Sequence, residues 1–156
     1  MRKTYQIIAQ VIAGLVVLQA ALMVWAIAGL FSWIDEGNSI DKSVVEGWAD
    51  EPPTFDGAIG HFIHAFISGT ILIPLLGLIL LIVSFFAKVP RGVALAAAVV
   101  VSIVVQYLAG TLAEPDMPYL GLIHGINAFI LFGLALAAGK AAKDAAATPA
   151  EPAPAV

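Results

Sequence analysis

Three histidines are the side chains of this sequence best suited to chemistry, and they lie at the start of apolar stretches. His61 and His64 open one long apolar stretch, and His124 opens the last one. A neutral imidazole is a common ligand of metal ions and of haem iron. Ionisable groups inside a membrane are costly and usually face the interior of a helical bundle. The positions of the histidines therefore predict a cofactor site among membrane-spanning helices.

The composition is that of an integral membrane protein. Of 156 residues, 61% are hydrophobic and 12% are charged, whereas soluble domains are about half apolar and a quarter charged. The length is enough for one domain. The chain has no cysteine, which excludes disulfides, iron–sulfur clusters, thiolate metal sites and covalent attachment of a c-type haem.

Four apolar stretches must position the histidines, and each can supply the roughly 20 residues that a span needs. We expect an all-α, integral membrane four-helix bundle with spans at about 5–33, 57–87, 93–112 and 119–139. Residues 1–139 would form the membrane domain, with a polar loop at 34–56. Residues 140–156, rich in Ala and Pro, predict a disordered tail.

Two local features qualify this assignment of spans. Ala26-Ile27-Ala28 resembles a signal-peptide cleavage site, but the first apolar stretch is well beyond the ~7–15 residues of such peptides, so we expect this span to be retained. Pro74 predicts a kink in the second span. We expect the hydroxyl of Thr70, four residues earlier, to help satisfy the backbone group that loses its hydrogen bond at the proline.

The distribution of charge predicts the orientation. Nine of the eleven acids fall on one side of the predicted spans, and on the other side lie six of the seven bases, namely Arg2, Lys3, Lys88, Arg91, Lys140 and Lys143. The positive-inside rule then makes both termini cytoplasmic in a multi-pass protein of the inner (plasma) membrane. The 34–56 loop is expected on the outer side, with seven acids and the single base Lys42.

Three polar side chains are predicted to share one depth in the membrane. At the 1.5 Å rise of an α-helix, His64 lies roughly 10 Å and His124 roughly 8 Å inside the outer boundary of their spans. Gln106 lies at about the same depth in the third span. Two imidazoles facing each other can supply both axial ligands of a haem iron.

Short sequence echoes predict a tandem two-helix repeat. Ile63-His64-Ala65 matches Ile123-His124-Gly125 at an offset of 60 residues, and Gln19 and Gln106 form a weaker echo. The two helical hairpins of such a repeat would be related by a pseudo-twofold axis along the membrane normal, which would direct the two histidines towards each other.

Three local patterns stand out in residues 57–139: His64 followed by Ser68-Gly69-Thr70, Gln106 and Gly110 one turn apart, and a short Pro turn before His124. In these patterns the region resembles one four-helix half of the haem A synthase family, and it is also similar to small bacterial four-helix membrane proteins. The resemblance implies that His64 and His124 ligate a haem b. His61 stands in the family's acidic position and Ala65 in its arginine position, so the resemblance implies haem binding rather than the family's oxidation of haem.

The haem hypothesis also gives His61 and Gln106 expected roles. His61 would hydrogen-bond a haem propionate or simply lie at the interface, and Gln106 would support the haem site or join helices.

The predicted function is electron transfer or haem handling; the alternative is a cofactor-free accessory subunit of a larger complex. A transporter is disfavoured because the spans lack charge, and a metal site of His61, His64 and an acid lacks a recognised spacing. The expected partners are membrane lipid and a second copy or a larger respiratory complex, and not nucleic acid.

Overall fold

The computed structural model describes residues 1–48, 50–113 and 117–147. Over these residues all regular secondary structure is helical: there are five continuous helices, one of them built from three segments, and no strand. Four of the helices are long and apolar enough to cross a membrane, which confirms the predicted class of fold. The helical segments are α1 Arg2–Asp35, α2 Lys42–Gly47, α3 Ala58–Phe62, α4 Ile73–Ala87, α5 Gly92–Thr111 and α6 Tyr119–Ala147. A π-helical segment, Ile63–Leu72, joins α3 to α4, so that one continuous helix runs over Ala58–Ala87.

One compact unit comprises residues 1–16 and the chain from residue 73 onwards. Within it, α5 packs against both α4 and α6. The core of this unit is rich in alanine: Ala9, Ala13, Ala87, Ala96, Ala135, Ala138 and Ala142 are all buried in it. Small side chains let helix backbones approach closely, which is the usual way in which membrane helices gain packing energy.

A second compact unit comprises residues 17–72. Here α1 lies against α3 through glycines. A Cβ atom on Gly60 would stand 2.7 Å from the carbonyl oxygen of Leu22, and one on Gly29 would stand 1.5 Å from that of Asp56. These approaches admit no side chain, so the two glycines fix how closely the 34–56 loop and α3 pack onto α1.

The irregularity predicted at Pro74 takes the form of the π-helical segment that precedes it. Proline lacks an N–H and its ring clashes with the carbonyl of the residue four positions earlier in an α-helix, and the wider π winding is one way to accommodate such a disruption. The Thr70 hydroxyl donates to the carbonyl of Ala65 at 2.7 Å, five residues back. The expectation that this hydroxyl serves the backbone freed by Pro74 is therefore corrected.

The last helix, α6, is longer than the span predicted from the sequence. It continues beyond residue 139 to Ala147, so residues 140–147 are helical rather than disordered. Alanine has the highest helix propensity, Lys140 pairs with Asp144 one turn later, and Arg2 Nη1 donates to the carbonyl of Ala145 at 2.8 Å. The rest of the predicted tail, residues 148–156, lies outside the described residues.

Candidate functional site

His64 lies in the π-helical segment and forms a reciprocal pair with Gln19 of α1. The Nδ1 atom of His64 lies 3.1 Å from the main-chain oxygen of Gln19. In return, Nε2 of Gln19 donates to the main-chain oxygen of His64 at 3.2 Å. Each side chain thus bonds to the main chain of the other residue, and the pair holds the imidazole in a fixed orientation against α1.

His124 of α6 makes the same kind of contact with α5. Its Nδ1 atom lies 2.9 Å from the main-chain oxygen of Gln106. Gly110, one turn further along α5, makes room for the ring, since a Cβ atom there would stand 2.8 Å from Nδ1 and 2.9 Å from Cε1 of His124. Two of the predicted site residues, Gln106 and His124, are therefore brought together within this unit.

The carbonyl partners determine the tautomer of both rings. A carbonyl oxygen can only accept a hydrogen bond, so the Nδ1 atom that faces it must carry the proton. An imidazole that carries its single proton on Nδ1 has its lone pair on Nε2. A histidine that ligates a metal usually donates its other ring N–H to a carbonyl or a carboxylate, which orients the ring and raises its basicity. Both His64 and His124 have this arrangement at Nδ1.

A buried polar network extends the site around His124. The side-chain amide of Asn127 donates to Oε1 of Gln106 at 2.7 Å and to the main-chain oxygen of Ser102 at 2.9 Å. The Ser102 hydroxyl donates to Oδ1 of Asn127 at 3.0 Å. Gln106 thus accepts from Asn127 through its side chain and from His124 through its main chain, so it positions other side chains.

Two buried polar atoms near His64 have no hydrogen-bond partner among the described residues. They are Oε1 of Gln19 and Oγ of Ser68, four residues after His64. Buried polar groups are nearly always satisfied by protein or by ordered water. Each of these two atoms is therefore suited to bond a water molecule or a polar group of a ligand.

His61 is exposed at the α3 end of the same helix. It lies three residues before His64 in the sequence.

Comparisons of this chain with protein-family models, curated proteins and solved structures gave no match. The functional assignment consequently depends on the residues themselves.

The described residues form no cluster of the kind that holds a small metal ion. Within the described ranges, no three His, Cys, Asp or Glu side chains come together as a metal site, and a closed zinc site needs four ligands. The single base of the 34–56 loop, Lys42, pairs with Glu46 at 3.6 Å.

Sequence reasoning named the imidazoles and Gln106 but missed the part played by Ser102. The signal was present: Ser102, Gln106 and Gly110 recur every four residues along an otherwise apolar helix, which places them on one face. Asn127 lies one turn after His124. Polar residues at helical spacing on consecutive apolar helices predict a shared network.

Proposed function

We propose that this protein is a multi-pass membrane protein that binds a b-type haem through His64 and His124 and serves in electron transfer or haem handling. The observation that carries the proposal is the shared Nδ1 contact: each ring donates to the main-chain oxygen of a glutamine on a neighbouring helix. Bound haem would supply a one-electron redox centre. The protein's own residues would fix the two rings and protect them from water within the membrane.

The charge pattern and the family resemblance support a more detailed form of the proposal. Both termini would lie in the cytoplasm and the site in the outer half of the plasma membrane. His61, exposed on α3, would then serve a propionate. The acidic and arginine positions of the haem A synthase pattern hold His61 and Ala65, so we propose haem binding without haem oxidation. A second copy or a larger respiratory complex is the proposed partner, which cross-linking in native membranes would detect.

Absorption spectroscopy of the purified protein tests the haem proposal. After expression with ample haem and purification in a maltoside detergent, the native protein should show a Soret band and the sharp α band of a reduced six-coordinate haem. His64→Ala and His124→Ala should each abolish that six-coordinate spectrum. His61→Ala is the matched control and should retain it. A native protein without a Soret band, even after reconstitution with haem, would refute the proposal.

The second candidate, an accessory subunit without a cofactor, is favoured by a specific observation. The Gln19–His64 pair and the Ser102–Asn127–Gln106 network join helices by hydrogen bonds that need no cofactor. If this is the function, the native protein is colourless, and His64→Ala and His124→Ala lower the free energy of unfolding without any spectral change. Co-purification of the protein with a membrane complex would then be the supporting result.

A further inference from the structure

The 34–56 loop and the end of α1 line an open cavity of about 270 Å³ that the haem proposal does not use. Three aromatic residues line it, one from the end of α1 and two from the loop: Trp33, Trp48 and Phe55. The ring of Phe55 lies between the other two, with its centroid 5.9 Å from that of Trp48 and 6.5 Å from that of Trp33. The rings are tilted to one another by 57° and 49°, so the wall is angled rather than a flat stack.

An acidic residue lines the same cavity, and the loop around it is strongly negative. Glu51 contributes to the lining, and residues 34–56 hold seven acids and one base. That base, Lys42, pairs with Glu46 at 3.6 Å. Neither of the two salt bridges found in the described parts of the chain uses Glu51. A concave surface lined by one sign of charge raises the local concentration of the opposite ion.

A second recess adjoins the first through shared aromatic residues. It has a volume of about 300 Å³, shares Trp33 and Phe55 with the first, and is lined by Glu36 and Asp56. Both recesses that share these rings therefore have carboxylates in their lining. Negative charge near the rings adds to the attraction that the ring faces exert on a cation.

We propose that the cavity lined by Trp33, Trp48, Phe55 and Glu51 binds a trimethylammonium group. Aromatic faces attract organic cations, and quaternary ammonium ligands in particular are recognised by clusters of aromatic rings. Such a group has no N–H, so it needs ring faces and a nearby carboxylate rather than hydrogen-bond acceptors. The volume is below the ~300–1,000 Å³ of pockets for drug-sized ligands, which suits a small head group.

Titration with simple probes tests this proposal independently of haem. The whole protein is purified in a maltoside detergent, which carries no ammonium group, and is titrated calorimetrically with tetramethylammonium and with choline. Quenching of tryptophan fluorescence follows the same titration, since two of the three tryptophans line the cavity. Both cations should bind saturably. The neutral isostere of choline, 3,3-dimethylbutanol, should bind at least about tenfold more weakly.

Two substitutions and one matched control locate the site. Trp48→Leu should weaken tetramethylammonium binding about tenfold, and Glu51→Gln should weaken it about threefold, because Glu51 is exposed and partly screened. Glu46→Gln changes the net charge of the loop equally but does not line the cavity, so its affinity should stay within about twofold of native. If Trp48→Leu perturbs the loop, Glu51→Gln still tests the proposal.

Lipid nanodiscs distinguish the two sources of the group. If phosphatidylcholine nanodiscs suppress tetramethylammonium binding and phosphatidylglycerol nanodiscs do not, the ligand is a lipid head group. If neither suppresses it, the ligand is a soluble quaternary amine. The proposal is overturned if tetramethylammonium does not bind saturably, if the neutral isostere binds equally well, or if both substitutions leave the affinity unchanged.

Discussion

Gln19 and His64 each direct a side chain at the main chain of the other, with contacts of 3.2 and 3.1 Å. Because the contacts are reciprocal, joining the helices and orienting the imidazole depend on different atoms of Gln19. The Gln19 side chain joins the helices, while its main-chain oxygen, which no substitution removes, orients the imidazole. The pair can therefore be dissected by changing one side chain at a time.

Gln19→Leu should lower stability slightly without removing the imidazole's partner. The change deletes the amide that donates to His64, and hydrogen bonds between membrane helices contribute about 0.6 kcal/mol on average. Bound haem should be retained, because the main-chain oxygen at position 19 remains. Unfolding in mixed micelles measures the loss, and Gln10→Leu on the exposed face of α1 is the control. A Gln19→Leu protein that loses all pigment while staying folded would contradict this division of roles.

Gly110→Ala should disturb His124, whereas the same change nearby should not. The added Cβ would stand 2.8 Å from Nδ1 of a ring held by the oxygen of Gln106, so ring or helix must shift, at about 1–3 kcal/mol for such overpacking. Gly121→Ala is the control, since nothing lies within 4 Å of its added Cβ, and alanine favours helix. Unfolding measurements on both variants check this. Equal stabilities would show that the ring does not depend on Gly110.

Sequence reasoning located the helices well because hydropathy alone determines which stretches can cross a membrane. It located His64 and His124 by the same logic, as rare polar groups in apolar helices. It could not identify the oxygens that orient them, because every residue offers a main-chain carbonyl and nothing in a sequence distinguishes one from another. It also could not foresee the π winding before Pro74, since proline marks a disruption without specifying how the helix accommodates it. The sequence predicts a tail over residues 140–147 because their Ala-rich composition is typical of both tails and helices.

The hydrogen bonds of Asn127 should show energetic coupling to Ser102. The two residues exchange a hydroxyl-to-amide bond of 3.0 Å and an amide-to-main-chain bond of 2.9 Å in a buried setting. Asn127→Ala leaves the Ser102 hydroxyl and Oε1 of Gln106 without this partner, and buried groups left unsatisfied cost about 1–3 kcal/mol. A double-mutant cycle with Ser102→Ala should give a coupling energy of about 0.6–1.7 kcal/mol. Additive effects of the two single changes would contradict the network.

The short helix α2 should lose its N-cap as the pH falls. The Asp41 carboxylate accepts from the Ser43 hydroxyl at 2.7 Å and from the Val44 N–H at 3.0 Å, and these bonds lower the pKa of Asp41 below its usual 3.8. A lowered pKa in the folded state means that the stabilisation is complete above the ordinary value and is lost as pH falls through the lowered one. Hydrogen exchange of the Val44 amide should quicken over that window, after correction for intrinsic rates. Asp41→Ala should abolish this pH dependence, and Asp35→Asn, outside the cap, should preserve it.

Tyr5→Phe should reveal how strongly the start of α1 is tied to the start of α5. The Tyr5 side chain is fully buried, and its hydroxyl donates to the main-chain oxygen of Gly92 at 2.8 Å. Phenylalanine keeps the ring packing but removes the donor, so the oxygen of Gly92 loses this buried partner. The expected loss of stability is about 1–2 kcal/mol, measured by unfolding in mixed micelles. Tyr119→Phe is the matched control, since that side chain is 56% exposed and should change stability by less than about 0.5 kcal/mol. Equal losses in the two variants would mean that the Tyr5 hydroxyl does not tie α1 to α5.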